Sequence, residues 1–303
     1  MAESIAFIDD EFVPITEAKI SIMEPTFTKS DVVYDTLSSC QGYIFRLDDH
    51  LRRFEASYRA MQLNPPYSFK EIRRIVAEMI KRSEMDDTCV TLMATRGPFI
   101  DLADRDIRKC KNGLMAVCVP YYWVLGKDKQ TTGVNMVITD NQRVSAEAID
   151  ARVKNFNWMD LTRALLEAYE KGGDSAMLCT PDGFLSEGPG FNIWLAKDGK
   201  LYTPKGNLLE GVTRRSVFEL AEKMGAKPVE KPLTPEDLRT ADEAFTSTTA
   251  GSITPVTQVD GKTLGNGAPG ILTTRLLDEY WRRRAEGWHG VRVEEVLEDR
   301  DVA

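Results

Sequence analysis

Two short segments hold the residues best suited to chemistry. One is Lys154-Asn155-Phe156-Asn157-Trp158, the other Leu185-Ser186-Glu187-Gly188-Pro189-Gly190-Phe191-Asn192. A lysine amine can condense with an aldehyde to a Schiff base and, once displaced, can carry a proton. A carboxylate beside a heteroaromatic nitrogen keeps that ring protonated and able to accept electrons. A lysine and a glutamate at this separation arise often by chance, so their surroundings must carry the reading. The Asn-Phe-Asn-Trp after Lys154 is not the composition of a solvated loop, and Gly183, Gly188 and Gly190 mark a tight backbone path around Glu187. The bland alternatives are an exposed lysine ahead of a helix and a surface-turn glutamate.

A third set of residues suits an anion. Gly211-Val212-Thr213 opens a predicted helix, and N–H groups at a helix start attract negative charge. Thr213 could equally be an ordinary cap, and both roles can hold at once. Ser247-Thr248-Thr249-Ala250-Gly251 is rich in hydroxyls and glycine, as a phosphate loop is.

Short strands and helices must position these groups. Residues 5–9 and 11–13 read as a hairpin. Asp48 or Asp49 can cap a helix carrying Leu51, Phe54, Tyr58 and Met61 on one face, and 69–83 is a second helix after Pro65-Pro66. Residues 89–95 and 114–119 read as buried strands. A broken apolar pattern with charge and Gly126 makes 120–132 a linker between a domain of residues 1–119 and one of 133–303. Further on, 134–138, 175–179, 192–196, 200–203, 243–246 and 253–256 read as strands. Residues 158–171, 213–224 and 268–286 read as helices. Arg282-Arg283-Arg284 reads as the solvated end of the last helix, and 298–303 as a loose tail.

Composition removes several functions. A chain of 303 residues can bury a large core, and its net charge of −8 argues against nucleic acid or an anionic membrane as partner. No apolar run reaches membrane-span length, and the first residues do not resemble a signal peptide. Five scattered cysteines without a Cys-x-x-Cys read as reduced thiols of a cytoplasmic protein. Two histidines, His50 and His289, are too few for a histidine-rich metal centre, and no metal is expected.

From Phe7 to about Asp260 the chain resembles the fold-type IV pyridoxal-phosphate enzymes. These include branched-chain and D-amino-acid aminotransferases, aminodeoxychorismate lyases and (R)-selective amine transaminases. Five blocks carry the resemblance in the family's order: Lys19–Met23 with Ser30–Tyr34, Arg46–Phe54, Lys154–Trp158, Gly183–Asn192, and Leu209–Arg214 with Ser247–Pro255. It implies an α/β, two-domain fold with a small N-terminal α/β domain and a larger, barrel-like C-terminal α/β domain. It implies pyridoxal 5'-phosphate as cofactor and a homodimer. Lys154 would be the Schiff-base lysine and proton carrier, and Glu187 the partner of the pyridine nitrogen. Val212, Thr213, Thr249 and Arg53 would hold the phosphate, with Thr248, Asn157 and Leu209 also against the cofactor.

The block Ser30-Asp31-Val32-Val33-Tyr34-Asp35 and Trp158 resemble the (R)-amine transaminase pattern. Tyr34, Trp158, Gly190, Cys89 and Thr91 would line the substrate pocket. Cys89 and Thr91 depart from the phenylalanine and glutamate usual there. Thr91 and Met93 also stand where branched-chain enzymes place a carboxylate clamp. The loop after Thr95 holds Arg96, Arg105 and Arg108, and Arg105 is the candidate for a mobile partner of a keto-acid carboxylate. The expected reaction moves an amino group from an (R)-configured amine or D-amino acid to a keto acid such as pyruvate. A branched-chain or D-amino-acid aminotransferase, an aminodeoxychorismate lyase and a non-catalytic cofactor-binding protein are the rivals.

Overall fold

The computed structural model describes residues 2–299, so 300–303 of the predicted loose tail lie outside the described residues. The chain divides into two compact units. The first holds residues up to 121 together with 153–157 and 284 onward; the second holds 122–152 and 158–283. Among the described residues no helix is long and apolar enough to cross a membrane.

The first unit is built on a seven-stranded sheet. Its strand order is Gly290–Arg292, Tyr43–Phe45, Val32–Cys40, Thr88–Thr95, Gly113–Pro120, Ile5–Ile8 and Glu11–Pro14, each antiparallel to its neighbour. Successive side chains of a strand point to opposite faces. Val33 and Leu37, with Val90, Leu92 and Ala94, therefore share one face, packed on Leu51 and Phe54 of helix Leu47–Ala60 and on Val76 and Met79 of helix Phe69–Ser83. Each such side chain contributes about 1.5–3 kcal/mol when fully buried. Tyr34, Thr36, Thr91 and Met93 share the other face, Tyr34 opposite Met93 and Thr36 opposite Thr91.

Helix starts show local chemistry at work. Ser68 accepts from the Glu71 N–H while Glu71 accepts from the Ser68 N–H, a reciprocal cap for Phe69–Ser83. The first long helix departs from expectation. It begins at Leu47, not after Asp48 or Asp49, because Arg46 takes the left-handed conformation (φ 49°) and donates its N–H to the His289 carbonyl. Both aspartates thus fall inside the first turn, where negative charge suits the helix dipole. Arg284 also differs: it is buried, stacked 4.7 Å from the Phe45 ring with Nη2 on the Ser38 hydroxyl, not at a solvated helix end.

The second unit holds an eight-stranded mixed sheet. Its order is Val229–Lys231, Lys200–Pro204, Asn192–Lys197, Glu243–Thr248, Ser252–Val259, Val134–Ile138 and Ser175–Met177, with Lys262–Thr263 added beside Ser252–Val259. Helix Met159–Glu170 lays Leu161, Ala164 and Ala168 on Val137, Ala176 and Leu178. Helix Val212–Lys223 packs against Glu243–Thr248, with Trp194 between Phe218 and Phe245 at ring distances of 4.9 and 5.9 Å.

Candidate active site

The lysine segment belongs to the first unit. Along strand Val32–Cys40, strand Tyr43–Phe45 pairs with Ser39 and Cys40 at the far end, which leaves the near end of that edge to another segment. Residues 153–157 fill it. Val33 bridges Asn155 in antiparallel fashion, and the Tyr34 N–H donates to the Lys154 carbonyl at 2.9 Å. The Lys154 N–H donates to Ser57 Oγ on helix Leu47–Ala60 at 3.2 Å, and Asn155 Oδ1 accepts from the Asn157 N–H at 2.9 Å. The backbone of Lys154 is therefore held from two sides while its side chain is only half-buried. Its Nζ lies 4.3 Å from the centroid of the Tyr34 ring, which packs on Phe156 at 4.3 Å. Among the described residues no carboxylate pairs with Nζ. An amine outside a salt bridge is open to attack a carbonyl.

Tyr34 and Thr91, both expected in the substrate pocket, lie on one sheet face. Thr36 and Thr91 join through their hydroxyls at 3.0 Å, and Cys89, opposite Ser38, is fully buried. None of Thr36, Thr91 and Met93 is cationic.

Arg53 reaches the opposite face. Its Nε and Nη2 donate to Asp35 at 2.7 and 2.8 Å, and His50 Nδ1 lies 2.7 Å from the same carboxylate. A carboxylate can only accept, so Nδ1 carries the proton. Burial would raise the Asp35 pKa, but Arg53 and His50 outweigh it and hold the carboxyl well below the usual range. Burial also pushes the His50 pKa down, against the pull of Asp35, so the imidazole is neutral. Asp35 and His50 were not among the predicted site residues. Their signal was present: Asp35 alternates with Val33 and Leu37 on the core-facing side of a strand, and His50 sits one helical turn from Arg53 and Phe54.

The acid lies in the second unit. Glu187 is buried, with Oε1 accepting from Arg143 Nη2 at 3.0 Å and Oε2 from the Leu209 N–H at 3.1 Å. Predicted Leu209 thus acts on Glu187 through its backbone. Arg143 also binds Asp160 Oδ2, which accepts the Val144 N–H at 3.0 Å, while Asp160 Oδ1 accepts the Leu161 N–H at 2.8 Å. Nothing in the sequence marked Arg143 or Asp160, because no local pattern links the end of a strand to the first turn of the next helix. The turn beyond Glu187 needs glycine. A Cβ on Gly188 would stand 2.1 Å from the Phe191 ring and 2.5 Å from the Ala176 carbonyl. At Gly190 (φ 86°) a Cβ would meet Trp158 at 3.6 Å and Val124 at 3.7 Å, so these three residues adjoin.

Helix Val212–Lys223 starts at Gly211 with no side-chain cap. A Cβ on Gly211 would lie 2.3 Å from Asn192 Oδ1, and Asn192 Nδ2 donates to the Leu209 carbonyl at 2.8 Å. Val212 and Thr213 are buried, and among the described residues neither N–H finds a protein acceptor. Such orphan donors define an anion site. Thr248 is buried and Thr249 half-buried in a loop braced by Gln130, whose Nε2 donates to Gly251 O at 2.8 Å, Ser252 Oγ at 2.7 Å and Ile253 O at 3.0 Å.

The loop arginines separate clearly. Arg96 is spent on Asp31 at 2.9 and 3.1 Å and on the Met61 and Gln62 carbonyls. Arg108 binds Asp106 at 2.6 Å. Arg105 is exposed, 5.4 Å from the Phe99 ring centroid, and among the described residues no carboxylate pairs with it. Taken singly, an uncommitted amine, a fixed carboxylate, and helix-terminal N–H groups with hydroxyls suit an aldehyde, a basic ring nitrogen and a phosphate.

Residues 32–259 match the family model described as amino-transferase class IV. A Methanocaldococcus jannaschii protein named as a putative branched-chain-amino-acid aminotransferase is 31% identical over 90% of this chain and 94% of its own. The Bacillus licheniformis D-alanine aminotransferase is 30% identical over 86% and 90%. Among solved structures, a branched-chain amino acid aminotransferase of T.th. with pyridoxamine 5'-phosphate is similar at a TM-score of 0.88 and 26% identity, covering 97% of this chain and 99% of that one.

Proposed function

The chain belongs to the class IV aminotransferases and depends on pyridoxal phosphate, and from that premise we propose that it transfers the amino group of an (R)-configured primary amine or D-amino acid to a keto acid such as pyruvate. The two half-reactions alternate on one site. The observation that carries the donor class is the sheet face bearing Tyr34. Thr36, Thr91 and Met93 there are neutral, so the positions beside Tyr34 on these strands offer a donor carboxylate no cation. Exposed Arg105 is the mobile cation for the keto acid.

The bound cofactor supplies a carbonyl that takes up amines and a ring that accepts electrons. Lys154 Nζ would hold that carbonyl carbon, and the same amine would carry the proton away from the donor's Cα. Glu187 holds a proton at the ring nitrogen, and the Leu209 N–H fixes the direction of its carboxylate. Val212 and Thr213 N–H groups, the Thr213, Thr248 and Thr249 hydroxyls and Arg53 take the phosphate. Asn157 closes the turn after Lys154, and Trp158 beside Gly190 limits the size of the donor's substituent.

The names of the relatives favour a second reading, a donor that is D-alanine or a branched-chain amino acid. Mixing the holoenzyme with single donors and following the visible absorbance of its cofactor separates the readings. Rapid bleaching by (R)-1-phenylethylamine, and not by L-leucine, supports the proposal. Bleaching by L-leucine alone replaces it with the branched-chain reading. Pyruvate release from aminodeoxychorismate without an amino acceptor replaces it with a lyase.

A further inference from the structure

Glu187 is not a lone carboxylate. It ends a buried chain of alternating charge: Asp160, Arg143, Glu187. Arg143 comes from the stretch after strand Val134–Ile138, Asp160 from the first turn of helix Met159–Glu170, and Glu187 from the glycine-rich turn. The segment at 207–209 adds only neutral groups, the Asn207 amide on the Val144 carbonyl and the Leu209 N–H on Glu187. Burial alone would lower the Arg143 pKa, but Glu187 and Asp160 outweigh it and push it up, so the guanidinium stays charged.

We infer that Arg143, anchored by Asp160, is a positioning residue that keeps Glu187 ionised and aimed, and that the charge of Asp160 sets how strongly Glu187 can hold a proton on the cofactor ring. The inference rests on the assignment of Glu187 to the ring nitrogen. The physical reason is charge balance in a dry site. Arg143 alone would weaken Glu187 as a proton acceptor by drawing its charge. A second carboxylate on the far side of Arg143 restores a net charge of one negative unit facing the ring. Asp160 can do this without moving, because both its oxygens are held by backbone N–H groups at 3.0 and 2.8 Å.

Opposite charge changes must therefore move the cofactor in opposite directions. The test uses holoenzyme of the wild type, Asp160→Asn, Arg143→Gln, Arg143→Lys and Glu187→Gln. The readouts are the pH midpoint of the cofactor's visible absorbance and the fraction of cofactor retained on gel filtration. Removing a negative charge lowers the midpoint, and removing a positive charge raises it, each by about 0.5–1 unit for a charge several ångströms away in a partly desolvated site. Asp160→Asn should lower it, Arg143→Gln should raise it and retain less cofactor, and Arg143→Lys should fall between Arg143→Gln and the wild type. If Arg143→Gln does not fold, Asp160→Asn and Arg143→Lys carry the test. Midpoints that shift in the same direction, or do not shift while stability falls, overturn the inference. Glu187→Gln keeps the two claims apart: if it lowers the midpoint while the others do nothing, Glu187 stands and the charge chain fails; if it too does nothing, the assignment of Glu187 fails.

Discussion

Lys154 and Asp35 illustrate opposite uses of a charge. The lysine has no carboxylate partner among the described residues, and its Nζ rests on an aromatic face. Such a contact is worth about 0.5–2 kcal/mol and leaves the nitrogen able to react. Lys154→Ala should abolish both the visible absorbance of the cofactor and amino transfer, while the fold, read by circular dichroism, remains. A retained visible band would move the covalent role to another lysine. Asp35 instead carries two partners in full burial. Asp35→Asn should destabilise the first unit by about 3–5 kcal/mol, because it removes the buried carboxylate charge that Arg53 and His50 share. The linkage has one sign for both acid and imidazole. The folded pKa of each lies below its ordinary value, so the unfolded chain binds the proton first and stability falls as pH drops. His50 and His289 are the only histidines, and His50 is the buried one. The urea midpoint should decline below about pH 6.5 through His50, and further in the carboxylate range through Asp35. His50→Asn should flatten the upper part of that decline; an unchanged slope there would remove His50 from the account.

At the scale of elements, turns and caps are as specific as the core. Gly188→Ala should lower the unfolding temperature and the cofactor content together, since its methyl has no room beside Phe191 and the Ala176 carbonyl. Ser68→Ala should cost about 1 kcal/mol with no effect on cofactor content. Most helices and strands were legible because their apolar periodicity is local: 69–83 and 134–138 coincide with the observed elements. The short strand Gly290–Arg292 was not, because its partner Tyr43–Phe45 lies nearly 250 positions away. The start of the first long helix was misjudged for a similar reason. The His289 carbonyl decides it, and two aspartates offered a plausible local cap. Lys154 and Glu187 stand out in the sequence by their chemically unusual neighbours, whereas Arg143 and Asp160 gain meaning only once folding brings them to Glu187.

For the molecule as a whole, Ile22 and Phe27 are 75% and 68% exposed beside half-exposed Ile20 and Met23. A contiguous apolar stretch of this kind suits an interface. We propose that this stretch is the seam of a homodimer, in which case the protein should sediment at about twice its chain mass of 34.1 kDa. Ile22→Asp with Phe27→Asp should halve the sedimenting mass, and an unchanged mass would place the interface elsewhere. The sheet of the first unit takes one edge strand from Gly290–Arg292 and Lys154 from residues 153–157. Synthesis delivers the chain in order, so that sheet cannot gain its outermost strand until the ribosome has passed position 292. A gene divided after codon 121 would leave Lys154 encoded with the other half. Lys154 is thus supplied from outside the continuous stretch that builds its platform, and joins it only after that stretch has emerged.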